Sequence, residues 1–507
     1  MRLLNSQTLE FATFDGDDEV PAYAILSHTW GNGEVTFQDM NTGNAASKEG
    51  MKKINFAAEQ ARDDDIGYFW VDTCCIDKTS SSELSESLNS MFSWYQHSTI
   101  CYVYLSDAYI VDVSGEAWLV DTNFINTYGT LIAIKTAPRP PPDRLRKEVL
   151  GSRWFTRGWT LQELIAPKHL RFYSHGWHFL GLKDDWAIAI ADEIGIPVTA
   201  LTRFDPQHFS IAQKMSWAAT RQTKRKEDRA YSLLGLFGVY MPMLYGEGDR
   251  AFMRLQEEIM KISDDRSIFC WASLTAPPST YRGLLARGTI EFAKSNGIPP
   301  IFAENCSPYQ LTNRGMMIEL QFLEIDQDEV MNEFVISLSG STEREPGYGL
   351  VLARINDDTY ARIDVCSIWT ASDSASYKFG QKKSIFVRQT PLAPRTLLPN
   401  RLRGYTVQEQ TRLAIFYSVG HWDFGDSTKP QTIRFSFDGK NIIIFTLDAL
   451  LARLNAHRGV ESFTHRITVK IGLWDYHAIL RAKPIFSQDE LWLYFWHEKQ
   501  VRIERNT

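Results

Sequence analysis

Residues 23–105 alternate short apolar runs with amphipathic helical stretches, and few folds accept that order. The runs are 23–30 (YAILSHTW), 68–76 (YFWVDTCCI) and 100–105 (ICYVYL). They are short and apolar throughout, as strands covered on both faces are. Between the first two, residues 47–64 carry Ile54, Ala57, Ala58 and Ala61 at helical spacing. Between the last two, residues 81–97 place Leu84, Leu88, Met91, Phe92 and Tyr95 on one helical face. Strand, helix, strand, helix, strand at this spacing predicts an α/β fold built on a parallel sheet. Ligands of such sheets sit at the carboxyl ends of the strands. Those ends carry Ser27, His28 and Trp30, then Asp72, Cys74 and Cys75, then Ser106 and Asp107.

The pattern changes twice further on. Residues 108–150 interrupt it and include APRPPPD at 137–143, which reads as a stiff extended connection. A strand is expected at 169–173, followed by helices at 183–194, 211–221, 227–237 and 249–262. From about Ser267 the texture becomes short alternating runs separated by turn residues, as in GSTEREPGYG and FDGKN. The expected organisation is an α/β domain over 1–200, a helical extension over 201–266 and a β-rich, sandwich-like domain over 267–507. No cluster of chemistry-bearing residues converges in the β-rich part. No Walker A sequence and no G-x-G-x-x-G opening a helix is present.

Composition narrows the class. The net charge of −7 offers no basic field for nucleic acid. The six cysteines hold no C-x-x-C pair, which argues against a disulfide framework or a zinc site and for buried thiols in a reduced cytoplasmic protein. The start, MRLLNSQTLEF, lacks a signal-peptide core, and the most apolar run, 233–245, is too short to span a bilayer. No transmembrane segment, metal or cofactor is therefore expected. Aromatic residues make up 13% of the chain, with 15 Trp, so large packed faces or stacking surfaces are expected.

Residues 152–167 (SRWFTRGWTLQELIAP) concentrate two tryptophans, two arginines and a glutamate at a helix start bracketed by Gly158 and Pro167. Thr160 to Glu163 reads T-x-x-E before an apolar run, the pattern of a capping box with Thr160 as N-cap. Glu163 is thus either a cap or a carboxylate fixed for chemistry near a helix N-terminus. Ser27 and His28, as strand neighbours, diverge and do not pair with each other. His28 with Cys74 would suit a thiol hydrolase, although a free cysteine is more often a small buried hydrophobe. Asp72 either holds a ligand hydroxyl or pairs with Arg153 or Arg157.

Several of these stretches together resemble one family. LSHTWG at 26–31, WVDTCCIDK at 70–78, CYVYLSD at 101–107 and the 152–167 stretch are similar to the fungal HET (heterokaryon incompatibility) domain. EDRAYSLLGLFG at 227–238 and LYGEGDRAFMRLQEEI at 244–259 resemble the segment that follows it in many members. The resemblance covers about the first 270 residues. It implies a fungal protein of non-self recognition that triggers programmed cell death when unlike cells fuse, as an enzyme or through self-association or a protein partner. The usual NACHT module and WD repeats are not found here.

The strand–helix order and WTLQEL also resemble the TIR fold. In its catalytic members a Trp and a Glu at the start of the helix after the third strand mark the NAD-cleaving site, and Glu163 falls on that position. The resemblance implies NAD as substrate. Breaking the nicotinamide–ribose bond needs one carboxylate to stabilise an oxocarbenium-like ribose, because the leaving group is already cationic. Glu163 would be the catalytic carboxylate. Trp30 or Trp159 would stack on a ring, Arg157 would meet the pyrophosphate, and Ser27, His28, Asp72 and Cys74 would line the strand ends.

Overall fold

The computed structural model describes residues 1–16, 19–109, 143–273, 275, 281–303, 307–323, 333–338, 347–363, 365, 368–371 and 379–389, with isolated strands between 417 and 498. The chain divides into two compact units. One holds Met1–Trp271 and Leu285–Phe302, the other Ala272–Leu284 and Ala303–Thr507.

A seven-stranded sheet organises the first unit. Its strands are β1 (Arg2–Asn5), β2 (Phe11–Thr13), β3 (Tyr23–His28), β4 (Tyr68–Val71), β5 (Ile100–Tyr104), β6 (Leu170–Tyr173) and β7 (Phe179–Leu182), in the order β2-β1-β4-β3-β5-β6-β7. The four central strands β4, β3, β5 and β6 run parallel. The outer strands β1, β2 and β7 are antiparallel. Every residue of β3 and β5 is buried, which is why these strands read as unbroken apolar runs. β1, β2 and β7 escape the sequence reading because they are only three or four residues long and partly exposed.

Helices α1 (Phe37–Thr42), α2 (Met51–Asp63) and α3 (Ser81–His97) fall between these strands. α2 buries Ile54, Ala57, Ala58 and Ala61, the stripe expected from spacing. α3 matches its expected bounds, with Ser80 accepting the Glu83 amide as its N-cap. α4 (Asp143–Leu150) and α5 (Thr160–Ile165) precede β6, and α6 (Lys183–Ile194) stops at Gly195, which takes φ 78°. The extension then runs through α7 (Val198–Thr202), α8 (Ile211–Trp217), α9 (Asp228–Tyr231), α10 (Leu234–Phe237) and α11 (Arg250–Ile262).

Two expected helices are shorter than periodicity suggests. The 211–221 helix ends at Trp217, and the 227–237 helix breaks into α9 and α10. In both places the backbone serves tertiary contacts instead. Gln222 pairs with the chain before α5, and Gly235 lies so close to Phe92 that an added Cβ would stand 2.0 Å from that residue's Cβ.

The tryptophans serve mostly as core. Trp70, Trp154, Trp186 and Trp271 are fully buried. Each such side chain contributes on the order of 3 kcal/mol relative to leaving it in water.

The second unit is β-rich. β9 (Gly315–Leu323) and β14 (Phe379–Val387) form the longest ladder of a sheet ordered β10-β11-β12-β14-β9-β8, where β8 is Gln310–Thr312, β10 Glu333–Ser337, β11 Gly347–Arg354 and β12 Thr359–Ile363. β13 (Trp369–Ala371) pairs with β11. Arg282 and Arg362 exchange backbone hydrogen bonds of 2.8 Å, which ties Arg282 to this sheet. The 137–143 connection lies outside the described residues except for Asp143, which opens α4. Among the described residues no helix is long and apolar enough to cross a membrane.

Candidate functional site

Strand alternation at the end of β3 sends Ser27 and His28 to opposite faces. Two different polar clusters form there.

On one face Ser27 Oγ donates to Glu163 Oε2 and accepts from Trp154 Nε1 at 2.8 Å. Ser27 is fully buried and Glu163 is 8% exposed. Tyr95 of α3 also faces Glu163, with its hydroxyl donating to Leu26 O at 3.4 Å. Trp154 comes from a 3-10 turn, Arg153–Thr156, whose N-cap is Ser152.

The capping box expected at Thr160 does not form. Trp159 occupies the N-cap position of α5 and offers no side-chain cap. Thr160 Oγ1 instead donates to the carbonyls of Trp154 and Arg157, at 2.5 and 3.0 Å. Glu163 is thereby released from its own helix end and given to Ser27, 136 residues away in sequence.

Burial raises the Glu163 carboxyl strongly. The Ser27 hydrogen bond opposes this, the Asp72 charge adds to it, and Tyr95 and Arg157 oppose it, leaving the group pushed up to about 8. At neutral pH it is mostly protonated, and it becomes an anion just above.

On the other face the His28 ring lies 3.6 Å from Glu34 Oε2 and 4.0 Å from Asp72 Oδ1, with neither ring nitrogen hydrogen-bonded. Burial works against the Glu34 charge. His28, the Gly31 amide and Lys53, whose Nζ is 2.5 Å away, outweigh it and hold the carboxyl down at about 2. Trp30 is 41% exposed. Its Nε1 donates to Asp72 Oδ2 at 2.7 Å, and the Lys78 ammonium stands 3.6 Å from its ring centroid. The expected pairing of Asp72 with Arg153 or Arg157 is replaced by this contact. Arg153 reaches Ser106 Oγ instead, at 3.3 Å.

Cys74 is fully buried, and its neighbour Cys75 together with burial pushes its thiol well up. A thiol held neutral packs rather than attacks. Trp159 is half-buried and lies beside Asp228 of the extension. Arg157 is half-buried, and its charge is felt at Glu163. The structure therefore joins Ser27 to Glu163 directly, groups His28, Asp72 and Trp30 on the other face, and leaves Asp72 as the charge felt at both. Among the described residues no group of three His, Cys, Asp or Glu could hold a metal ion.

Three participants were not singled out from the sequence as site residues: Tyr95, Trp154 and Glu34. Tyr95 reads as core from its helical face, and Trp154 reads as core from its type. Glu34 lies in the loop after the first apolar run, and only the neighbouring LSHTWG stretch points there.

Comparison with known proteins agrees with the motifs. Residues 23–163 match the family model "Heterokaryon incompatibility protein (HET)", and residues 250–299 match a domain of unknown function, DUF8212. The chain is 43% identical over 246 residues to the vegetative incompatibility protein HET-E-1 of Podospora anserina. That match covers 48% of this chain and 16% of the relative, so the chain spans only a small part of the protein it matches. No solved structure matches. The four parallel strands and the Ser27–Glu163 contact lie within or beside the matched segment, and residues 23–163 belong to the heterokaryon incompatibility (HET) family.

Proposed function

We propose that this chain is a cytoplasmic effector of heterokaryon incompatibility whose HET domain cleaves the nicotinamide–ribose bond of NAD, leading to cell death. The relative's name and the matched family support the incompatibility role. The TIR-like strand–helix order is part of the same reading.

One observation carries the chemistry. Glu163 stands at the carboxyl edge of a parallel sheet, released from helix capping and held by Ser27. As an anion in a site of low dielectric it would stabilise positive charge on the ribose as nicotinamide leaves. Trp30, exposed and beside Asp72, supplies a face for a ring to stack on. Arg157 answers the pyrophosphate, and the remaining strand-end residues His28 and Asp72 bound the site.

The burial of Glu163 favours a second reading, in which the carboxyl stays protonated as an internal hydrogen bond and the domain acts by self-association or through a protein partner. Incubating the full chain with NAD and measuring nicotinamide release, for wild type and Glu163→Gln, separates the two. Release that is lost in Glu163→Gln supports the enzyme. A folded wild type that releases none supports the second reading.

A further inference from the structure

The segment matched to the HET family ends at Glu163, yet the residues that hold Glu163 in place continue beyond it. Gln222 and the chain before α5 exchange backbone hydrogen bonds. The Gly158 amide donates to Gln222 O at 2.8 Å, and the Gln222 amide donates to Thr156 O at 2.7 Å. Gly158 is required by this approach, since an added Cβ would stand 2.4 Å from Thr223 Cγ2. The preceding residue, Arg221, is buried beside α5. Its Nη1 donates to Arg157 O at 3.0 Å and to Thr160 Oγ1 at 3.1 Å, and its Nε donates to Trp217 O at 3.2 Å. Its Nη2 is buried with no hydrogen-bond partner. Arg221 thus carries a charge into the interior without a carboxylate bonded to it, which is costly unless a negative charge lies near.

We infer that Arg221, contributed by the helical extension, is the positioning residue that holds Glu163 and stabilises its ionised form, so that the functional unit of the site is the HET domain together with the extension. The inference rests on the reading of Glu163 as the working carboxylate. Its first support is geometric. Arg221 grips both the loop before α5 and the first residue of the helix that carries Glu163, and no other described cation makes these contacts. Its second support is electrostatic. Burial pulls the guanidinium down and the Glu163 charge acts against that lowering, and an arginine keeps its charge across the whole pH range of the test. The other groups that face Glu163 are Ser27 from β3, Asp72 beyond β4, Tyr95 from α3, Cys101 from β5 and Arg157 before α5. Of these, Arg157 is the cation, and it is half-buried where Arg221 is enclosed.

The test is a double-mutant cycle in the full chain, read as urea unfolding at pH 6 and pH 9. It uses Arg221→Gln, Glu163→Gln and the pair, and it needs no substrate. At pH 6 Glu163 is protonated and needs no cation. At pH 9 it is ionised. The expected result is that Arg221→Gln loses more stability at pH 9 than at pH 6, and that this difference vanishes in the Glu163→Gln background. The midpoint of the wild-type pH transition should move up by about one unit in Arg221→Gln, a tenfold change in proton affinity. Where Arg221→Gln alone does not fold at pH 9, folding of the double variant there supports the same coupling. An equal loss at both pH values in both backgrounds, or failure of both variants to fold, overturns the inference and leaves Arg221 as packing. Absence of nicotinamide release from wild type would sink the NAD reading and leave this cycle interpretable.

Discussion

Glu163 and Glu34 flank the same strand end, on either side of β3, and burial acts on both with opposite net results. Glu163 accepts from the Ser27 hydroxyl, and its cations lie off that hydrogen bond. It is pushed up to about 8. Glu34 has the His28 ring at 3.6 Å, the Gly31 amide at 2.6 Å and Lys53 at 2.5 Å, and it is held at about 2. The difference lies in who donates. The Ser27 hydroxyl does not offset the desolvation of Glu163, whereas the His28 ring, the Gly31 amide and Lys53 together offset that of Glu34. A group poised near neutrality beside a fully satisfied one marks the Ser27 face as the place for chemistry and the Glu34 face as its frame.

The two carboxylates therefore give stability opposite slopes with pH. Between about 4.5 and 8 the folded state keeps the Glu163 proton that the unfolded chain has released, so stability falls as pH rises through that window. The fall is on the order of 5 kcal/mol and should vanish in Glu163→Gln, as read by urea unfolding from pH 5 to pH 9. A slope retained in that variant would assign the titration to another group and break the contrast.

Ser27→Ala is the next largest change expected. It strips Glu163 of its donor and leaves Trp154 Nε1 unpaired in the core, a loss of about 3 kcal/mol. It should also move the alkaline limb upward, since the Ser27 bond lowers Glu163. A variant as stable as wild type would mean that water takes over both bonds.

Glu34→Gln should act at the other end. Glu34 is lowered, so its stabilisation is full above about 4.5 and is lost as pH falls towards 2. Removing it should flatten the acid limb by about 2 kcal/mol after screening, measured by unfolding from pH 6 to pH 3. The alkaline limb should stay where it is.

The smallest effect on stability is expected at Trp30, which is exposed. Trp30→Phe keeps a ring under Lys78 and loses the Asp72 bond, a cost below about 1 kcal/mol. Its effect should fall on KM for NAD rather than on folding, which would sharpen the division between a framing face and a reacting one.

What the chain disclosed in advance follows from the range of each interaction. β3, β4, β5 and α3 were legible because burial on both faces of a strand, or on one stripe of a helix, leaves a local pattern. Glu163 was legible as either a cap or a carboxylate fixed for chemistry, and the capping box read at Thr160 does not form. The T-x-x-E spacing is local, and nothing local says that Thr160 bonds two carbonyls or that Ser27 waits 136 residues away. Arg221 was legible only as the end of a helix that in fact stops at Trp217. Its use of the α5 loop is a tertiary contact that overrides propensity.

The central claim is that the Glu163 carboxylate, once ionised, promotes departure of nicotinamide. The most direct test is nicotinamide release from NAD by the full chain as a function of pH, with Glu163→Gln alongside. In free enzyme, kcat/KM should rise with pH through about 8, and Glu163→Gln should lower the rate by roughly 10²–10³ while remaining folded. A folded wild type with no release at any pH, or a Glu163→Gln variant with undiminished release, would contradict it.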